Sequence, residues 1–269
     1  MLLAQISDLH IKRPGALAYR RVDTAAYLSR CVDALNALAP RPDAVIITGD
    51  LVDQGDPEQY EHLKHLLAPL AMPYYLLVGN HDERAALRAC FAERQELRAG
   101  GDFVQYAFDV GPLRVLALDS LVPGASHGDL CDARLAWLAA QLDAARDKPV
   151  LVALHHPPFV SGIGHMDRVR LAPAAAKRLE TLLARVICGH VHRPMFIRFA
   201  GTIASAVPAP AHQVALDLRD DAPSAFRMEP PAFALHRYDP ADGLVTHHAY
   251  VEAGDGPYPF YESEGTLID

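Results

Sequence analysis

Over its first 200 residues this chain alternates short apolar runs with segments of helical period, and that alternation limits its possible folds more than any other feature. Leu2–Ile6, Ala44–Thr48, Tyr74–Val78, Arg114–Leu118 and Val150–Leu154 are such runs, each bounded by Gly, Pro, Asp or His. Continuous apolar runs of this length suit strands buried on both faces of a sheet. Between the first two, Leu28, Val32, Leu35 and Leu38 recur at helical spacing. Asp56-Pro57 opens a second helix, with Asp56 as N-cap and Pro57 in the first turn. Asp132–Ala145, carrying Leu135, Leu138 and Leu142, and Pro173–Leu183 are two further helices. The pattern predicts a layered α/β unit.

Composition narrows the function. The 269 residues exceed a typical domain of roughly 100–200 but still suit one large unit, and 51% are apolar, enough for a sizeable core. The formal net charge is −8 and no long basic run occurs. Nucleic acid and anionic membranes call for concentrated positive charge, so neither is an expected partner. A small phosphate ester remains open, because bound cations supply a positive field locally. The opening Met-Leu-Leu-Ala-Gln-Ile-Ser-Asp has no basic n-region or cleavage site, and no stretch nears the roughly 18 apolar residues of a membrane span. Cys31, Cys90, Cys131 and Cys188 are scattered without CxxC spacing, which reads as free thiols. A soluble cytoplasmic protein is expected.

Beyond about residue 200 the texture changes. Pro208, Pro210, Pro223, Pro230 and Pro231 punctuate the strand-like pieces Gln213–Leu218, Ala232–Tyr238 and Leu244–Val251, and Gly254–Asp269 shows no period. We divide the chain into a catalytic core, 1–200, and a segment, 201–269, that adds strands to the sheet plus a cap or oligomerisation element. A homodimer or higher oligomer through those apolar strands is a possible consequence.

Chemistry gathers where the predicted strands end. The first ends in Ser7-Asp8-Leu9-His10, the second in Gly49-Asp50, and the third in Gly79-Asn80-His81-Asp82. Later ones end in His155-His156-Pro157-Pro158 and, after Arg185–Cys188, in Gly189-His190-Val191-His192. Ligands of open α/β sheets collect at that edge, so five strand ends would bring these side chains together. Asp, Asn and His offer oxygen and imidazole donors suited to Mn, Fe, Zn or Co. In Asp8-x-His10 and His190-x-His192 an extended backbone would point both donors the same way. The glycines before Asp50, Asn80 and His190 permit tight turns and close backbone approach, and Asp50 has two oxygens with which to bridge two cations.

In this order, these elements resemble the calcineurin-like metallophosphoesterase superfamily, over roughly residues 1–200. Within it the chain is similar to bacterial class III cyclic-nucleotide phosphodiesterases and their glycerophosphodiesterase relatives. The resemblance implies a four-layer sandwich of two mixed β-sheets flanked by helices, and two divalent metal ions as cofactors. It implies Asp8, His10, Asp50 and His192 as ligands of one metal, and Asp50, Asn80, His155 and His190 of the other. Asn80 and His81 would face the phosphate, His81 as the group that stabilises or protonates the leaving oxygen. Asp82 would orient the His81 ring. Ser126 and His212 are substrate contacts by the same resemblance.

The implied reaction is hydrolysis of a small phosphodiester, a 3′,5′-cyclic nucleotide such as cAMP or a glycerophosphodiester. A phosphomonoesterase or nucleotide pyrophosphatase on the same donors is the alternative, and a non-catalytic scaffold a remote one. Protein phosphatases of this superfamily carry Gly-Asp-x-x-Asp-Arg-Gly, whereas here Gln54-Gly55 follows Asp53. His156 divides evenly between a substrate-side role and a turn hydrogen bond. His127 and His165 are expected to be ordinary surface or packing residues, and so are the pairs His62/His65 and His247/His248. Cys188 is expected in the core.

Overall fold

The computed structural model describes residues 1–182 and 185–259. Leu183 of the expected fourth helix and residues 260–269 of the tail lie outside them. The chain runs β1 (Leu2–Ile6), α1 (Thr24–Ala37), β2 (Ala44–Ile47), α2 (Pro57–Leu67), β3 (Tyr74–Leu76) and α3 (Arg84–Cys90). It continues β4 (Tyr106–Val110), β5 (Leu113–Ala117), α4 (Asp132–Ala144), β6 (Val150–Ala153), α5 (Gly164–Asp167), α6 (Pro173–Glu180) and β7 (Arg185–Cys188). The last strands are β8 (Met195–Phe199), β9 (Thr202–Ala206), β10 (Gln213–Val214), β11 (Phe226–Arg227), β12 (Ala232–Asp239) and β13 (Gly243–Tyr250).

Two mixed sheets result. One has the order β13-β12-β1-β2-β3 and the other β4-β5-β6-β7-β9-β8, with β10 and β11 forming a separate two-stranded ribbon. In the first, β1, β2 and β3 run parallel and β12 and β13 antiparallel. In the second, β5, β6, β7 and β9 are parallel, with antiparallel β4 and β8 at the edges. Side chains alternate across each strand and so sort between two cores. Val115, Leu151 and Ile187 join Leu3 and Ile46 between the sheets. Their neighbours Leu116, Val152 and Val186 turn the other way, onto Leu135 and Leu138 of α4 and Leu179 of α6. Leu28, Leu35 and Leu63 of α1 and α2 cover the first sheet. This is the expected four-layer arrangement.

Capping follows the sequence where it was explicit: the Asp56 carboxylate accepts from the Glu58 amide at 3.0 Å. Other elements carry no such signal. In α3 only Leu87 is fully buried, and β8 exposes Phe196, Ile197 and Arg198, so neither shows a clean period. The expected strand Gln213–Leu218 stops at Val214, and Leu216 and Leu218 are exposed. Residues 202–250 supply strands to both sheets, and the β8–β9 hairpin straddles residue 200. Among the described residues no helix is long and apolar enough to cross a membrane.

Candidate metal centre

The parallel strands β1, β2, β3, β6 and β7 all deliver their C-terminal loops to one edge of the sandwich. Past β1 and β2 the chain keeps pairing through the loops, with the Asp8 amide donating to Gly49 O and the His10 amide to Asp50 O, both at 3.0 Å. The backbone there is not extended, which corrects the expectation for both pairs. Asp8, His10, Asp50, His190 and His192 have φ of 59°, 46°, 49°, 68° and 47°. Each non-glycine residue held so costs roughly 1–3 kcal/mol, a strain that surrounding contacts must hold. The left-handed turns, rather than alternation, swing the donors inward.

Close approach explains the glycines. A Cβ at Gly49 would lie 2.6 Å from His155 Nδ1, and one at Gly79 would strike Asp50 and come within 2.8 Å of His155 Nε2. A Cβ at Gly189 would collide with the Ser7 hydroxyl.

The donors form two sets. In one, His192 Nε2 lies 3.2 Å from Asp8 Oδ1 and 3.2 Å from His10 Nε2, which is 3.7 Å from Asp50 Oδ2. In the other, His155 Nε2 lies 3.3 Å from Asp50 Oδ2 and 3.2 Å from His190 Nδ1. These spacings match ligand-to-ligand edges around a cation with bonds of roughly 2.0–2.2 Å. Asp50 belongs to both sets.

Tautomers agree with this use. His155 Nδ1–H donates to Thr48 O at 2.8 Å and His192 Nδ1–H to His212 O at 3.1 Å, so each Nε2, once it gives up its proton, would present a lone pair inward. The Asn80 Oδ1 atom is buried and without a partner, as the remaining oxygen donor of the second set would be. Convergent lone pairs with no cationic side chain among them are the chemistry of a cation site, so the residues fit two metals.

Without cations, protons supply the positive charge. Burial would depress His155, yet the Asp50 and Asp8 carboxylates lift it to about 9. Burial likewise opposes His192, and Asp8 holds it above its ordinary value. Asp8 and Asp50 stay well below the usual carboxylate range despite burial, held by His192 and His155. Burial and the neighbouring His155 push His190 down to about 3.

The model of the calcineurin-like phosphoesterases matches residues 1–194. The chain belongs to that family. A probable glycerophosphodiester phosphodiesterase, GpdQ, of Arcobacter nitrofigilis is 42% identical to it, with 100% of each chain covered. A probable cyclic nucleotide phosphodiesterase of Rhodopseudomonas palustris is 35% identical, covering 96% of this chain and 94% of its own. Among solved structures, a dimetal phosphatase from Danio rerio superposes with a TM-score of 0.61 at 14% identity, over 94% of this chain and 99% of that one. That last likeness shows the fold alone.

In this calcineurin-like phosphoesterase His10, Asp50, Asn80, His190 and His192 floor a cavity of about 510 Å³, lined also by His81, Ser126, His165 and His212. His81 Nδ1–H donates to Asp53 O at 2.7 Å, which aims Nε2 at the cavity. Its orienting group is therefore the Asp53 carbonyl and not Asp82, contrary to expectation. The Asp82 carboxylate accepts instead from the amides of Gly79 (2.8 Å), Leu51 (3.1 Å) and Val52 (3.3 Å) and from Tyr60 Oη (3.0 Å). It is a brace between the loops after β2 and β3.

His156 Nδ1 bonds Ser120 Oγ at 2.8 Å, and His127 does not line the cavity. His165 does line it, against expectation. His62 is no merely solvated residue, since its Nδ1 bonds Lys12 O at 2.7 Å behind the Asp8–His10 loop. Tyr19 and Phe226 were missed by sequence reasoning. They pack on His212 at 5.2 and 5.4 Å between ring centroids and form an aromatic wall. Tyr19 comes from an irregular segment and Phe226 from the two-residue β11, neither with a period to mark it.

Proposed function

We propose that the chain is a two-metal phosphodiesterase for a small substrate, a 3′,5′-cyclic nucleotide or a glycerophosphodiester. The observation that carries this is the pair of donor sets sharing Asp50 at the floor of an open cavity. Asp8, His10, Asp50 and His192 would hold one cation, and Asp50, Asn80, His155 and His190 the other. Two such cations supply Lewis acidity toward the phosphate oxygens and make hydroxide available near neutral pH.

The protein's own groups do the rest. Burial works against protonation of His81, but the Asp50 charge and the Asp53 carbonyl hold it above its ordinary value. With Asp50 holding cations that charge would be taken up, and with Nδ1–H fixed on Asp53 O it is Nε2 that would face a phosphate oxygen or the departing alkoxide. Ser126 and His212, which line the cavity, would touch the organic part of the substrate. Among the described residues, Asp50 is the one Asp, Glu, Lys or Arg in the cavity lining. That supports a diester with one negative charge over a pyrophosphate, whose second phosphate would find no cationic side chain.

The test compares bis(p-nitrophenyl) phosphate with p-nitrophenyl phosphate, using stripped protein reloaded with Mn²⁺, wild type beside Asn80→Ala. Metal-dependent turnover should favour the diester and fall roughly 100-fold or more in the variant, the scale on which single catalytic groups act. A monoester preference would reassign the chain as a phosphatase. A protein that holds two metals and cleaves neither ester would refute the diesterase assignment.

A further inference from the structure

The five left-handed donors need a frame, and part of it lies behind the site. Gln5 of β1 is 1% exposed and points from the first sheet toward the second. Its Nε2 donates to Thr48 Oγ1 at 3.0 Å and to Cys188 O at 3.1 Å, so both amide hydrogens are used. Its Oε1 lies 3.0 Å from Nε2 of His236, which is fully buried on β12.

The orientation of that amide is determined. The Cys188 carbonyl can only accept, so the NH₂ must face it and Oε1 must face His236. His236 Nε2 therefore carries the hydrogen, and Nδ1 accepts from Thr246 Oγ1 at 2.9 Å. Thr246 Oγ1 in turn accepts from Arg185 Nη2 at 2.8 Å. Burial and the facing Arg185 keep His236 neutral, with its pKa pushed down to about 3. Every polar atom of Gln5 and His236 is paired, so neither ring nor amide is free to flip.

The three strands joined at Gln5 are three of the five that carry the donors, and among them lie both donor pairs. Gln5 lies three residues before Asp8. Thr48 lies two before Asp50, and its carbonyl accepts from His155 Nδ1 at 2.8 Å and from Ser7 Oγ at 3.2 Å. Cys188 directly precedes the Gly189-His190-Val191-His192 turn.

We propose that Gln5 is a positioning residue of the metal centre, clamping the loops after β1, β2 and β7 in one register, with His236 locking its amide. Gln5 has this role only if those loops hold cations as proposed above. Buried partners that orient ligands cost about 10–100-fold in metal affinity when removed, and Gln5 acts on three loops at once.

The experiment titrates stripped wild type, Gln5→Leu, His236→Leu and Leu138→Ala with Co²⁺. Calorimetry follows affinity and visible absorption follows coordination, while thermal unfolding is recorded on each metal-free protein. Leu138, buried in α4 on the far face of the second sheet, is the control for general softening. Wild type should take two cations; if it does not, the two-metal assignment fails before any variant is considered. Given two cations, Gln5→Leu should bind at least one of them about 10–100-fold more weakly and show altered absorption bands. His236→Leu should move the same way by a smaller factor, and Leu138→Ala should lose melting temperature while keeping affinity and spectrum. Wild-type affinity and spectrum in Gln5→Leu would overturn the proposal, and so would equal losses in Leu138→Ala. Should Gln5→Leu not fold, His236→Leu decides: unchanged binding there overturns the proposal.

Discussion

His155 is a buried imidazole whose proton burial alone would remove, yet the Asp50 and Asp8 carboxylates retain it. A cation must displace that proton, so loading Mn²⁺ near neutral pH should release it and bind more tightly as pH rises. Calorimetry in two buffers of different ionisation enthalpy checks this; identical heats would contradict it. Stability carries the opposite sign. The folded pKa of His155 is about 9 against an ordinary 6.5, so its contribution is fully present below 6.5 and lost as pH rises through 9. Denaturant unfolding of the metal-free protein should show that decline, and His155→Gln should flatten it. His81→Ala separates chemistry from binding. Turnover should fall by about 10²–10⁴-fold, the usual worth of a positioned acid or base, while metal analysis still finds both cations. Equal loss of metal and turnover would show that His81 supports the site instead.

The working elements are the turns after the parallel strands. Their glycines were legible because Gly-Asp, Gly-Asn and Gly-His at strand ends imply backbones in close approach, and a Cβ at each would meet another loop. Gly79→Ala is expected to cost about 1–3 kcal/mol by overpacking and to weaken cation binding, since its Cβ would press on Asp50 and His155. Gly254→Ala, with open space around it, should be neutral in the same titration and melting experiments. The left-handed backbone of Asp8, His10, Asp50, His190 and His192 was not legible. Nothing in an Asp-x-His pair separates an extended chain from a strained turn, because contacts from other loops impose the turn. The edge strands β4 and β8 escaped notice for a related reason. Periodicity reports burial, and an edge strand such as β8 is buried on too few sides to show it.

Across the whole molecule the two sheets are joined by polar bridges as well as by the apolar core. Tyr106 Oη donates to Leu76 O at 2.9 Å, Gln5 reaches Cys188 O, and Arg185 Nη1 donates to Leu244 O at 2.8 Å. Arg84 of α3 pairs bidentately with Asp119 after β5 at 2.7 and 2.8 Å, and that carboxylate is fully buried. Removing one partner of such a pair strands a charge, so Arg84→Met should destabilise by about 3–5 kcal/mol in urea unfolding. Breaking the exposed Arg146–Asp143 pair should cost no more than about 1 kcal/mol. Comparable losses from the two would show that burial of Asp119 does not set the energy.

The sequence by itself determined the α/β layering and the edge at which its strand-end Asp, Asn and His side chains meet. Those follow from local periods and from the rule that parallel strands end together. Only the tertiary structure decided that Asp53 and not Asp82 orients His81, that left-handed turns aim the donors, and that Gln5 stands behind three of their loops. The physical reason is separation along the chain. His10 meets His192 across 182 positions and Gln5 meets His236 across 231. Such hydrogen bonds leave no periodic trace, because their partners are chosen by the packing of one sheet on the other.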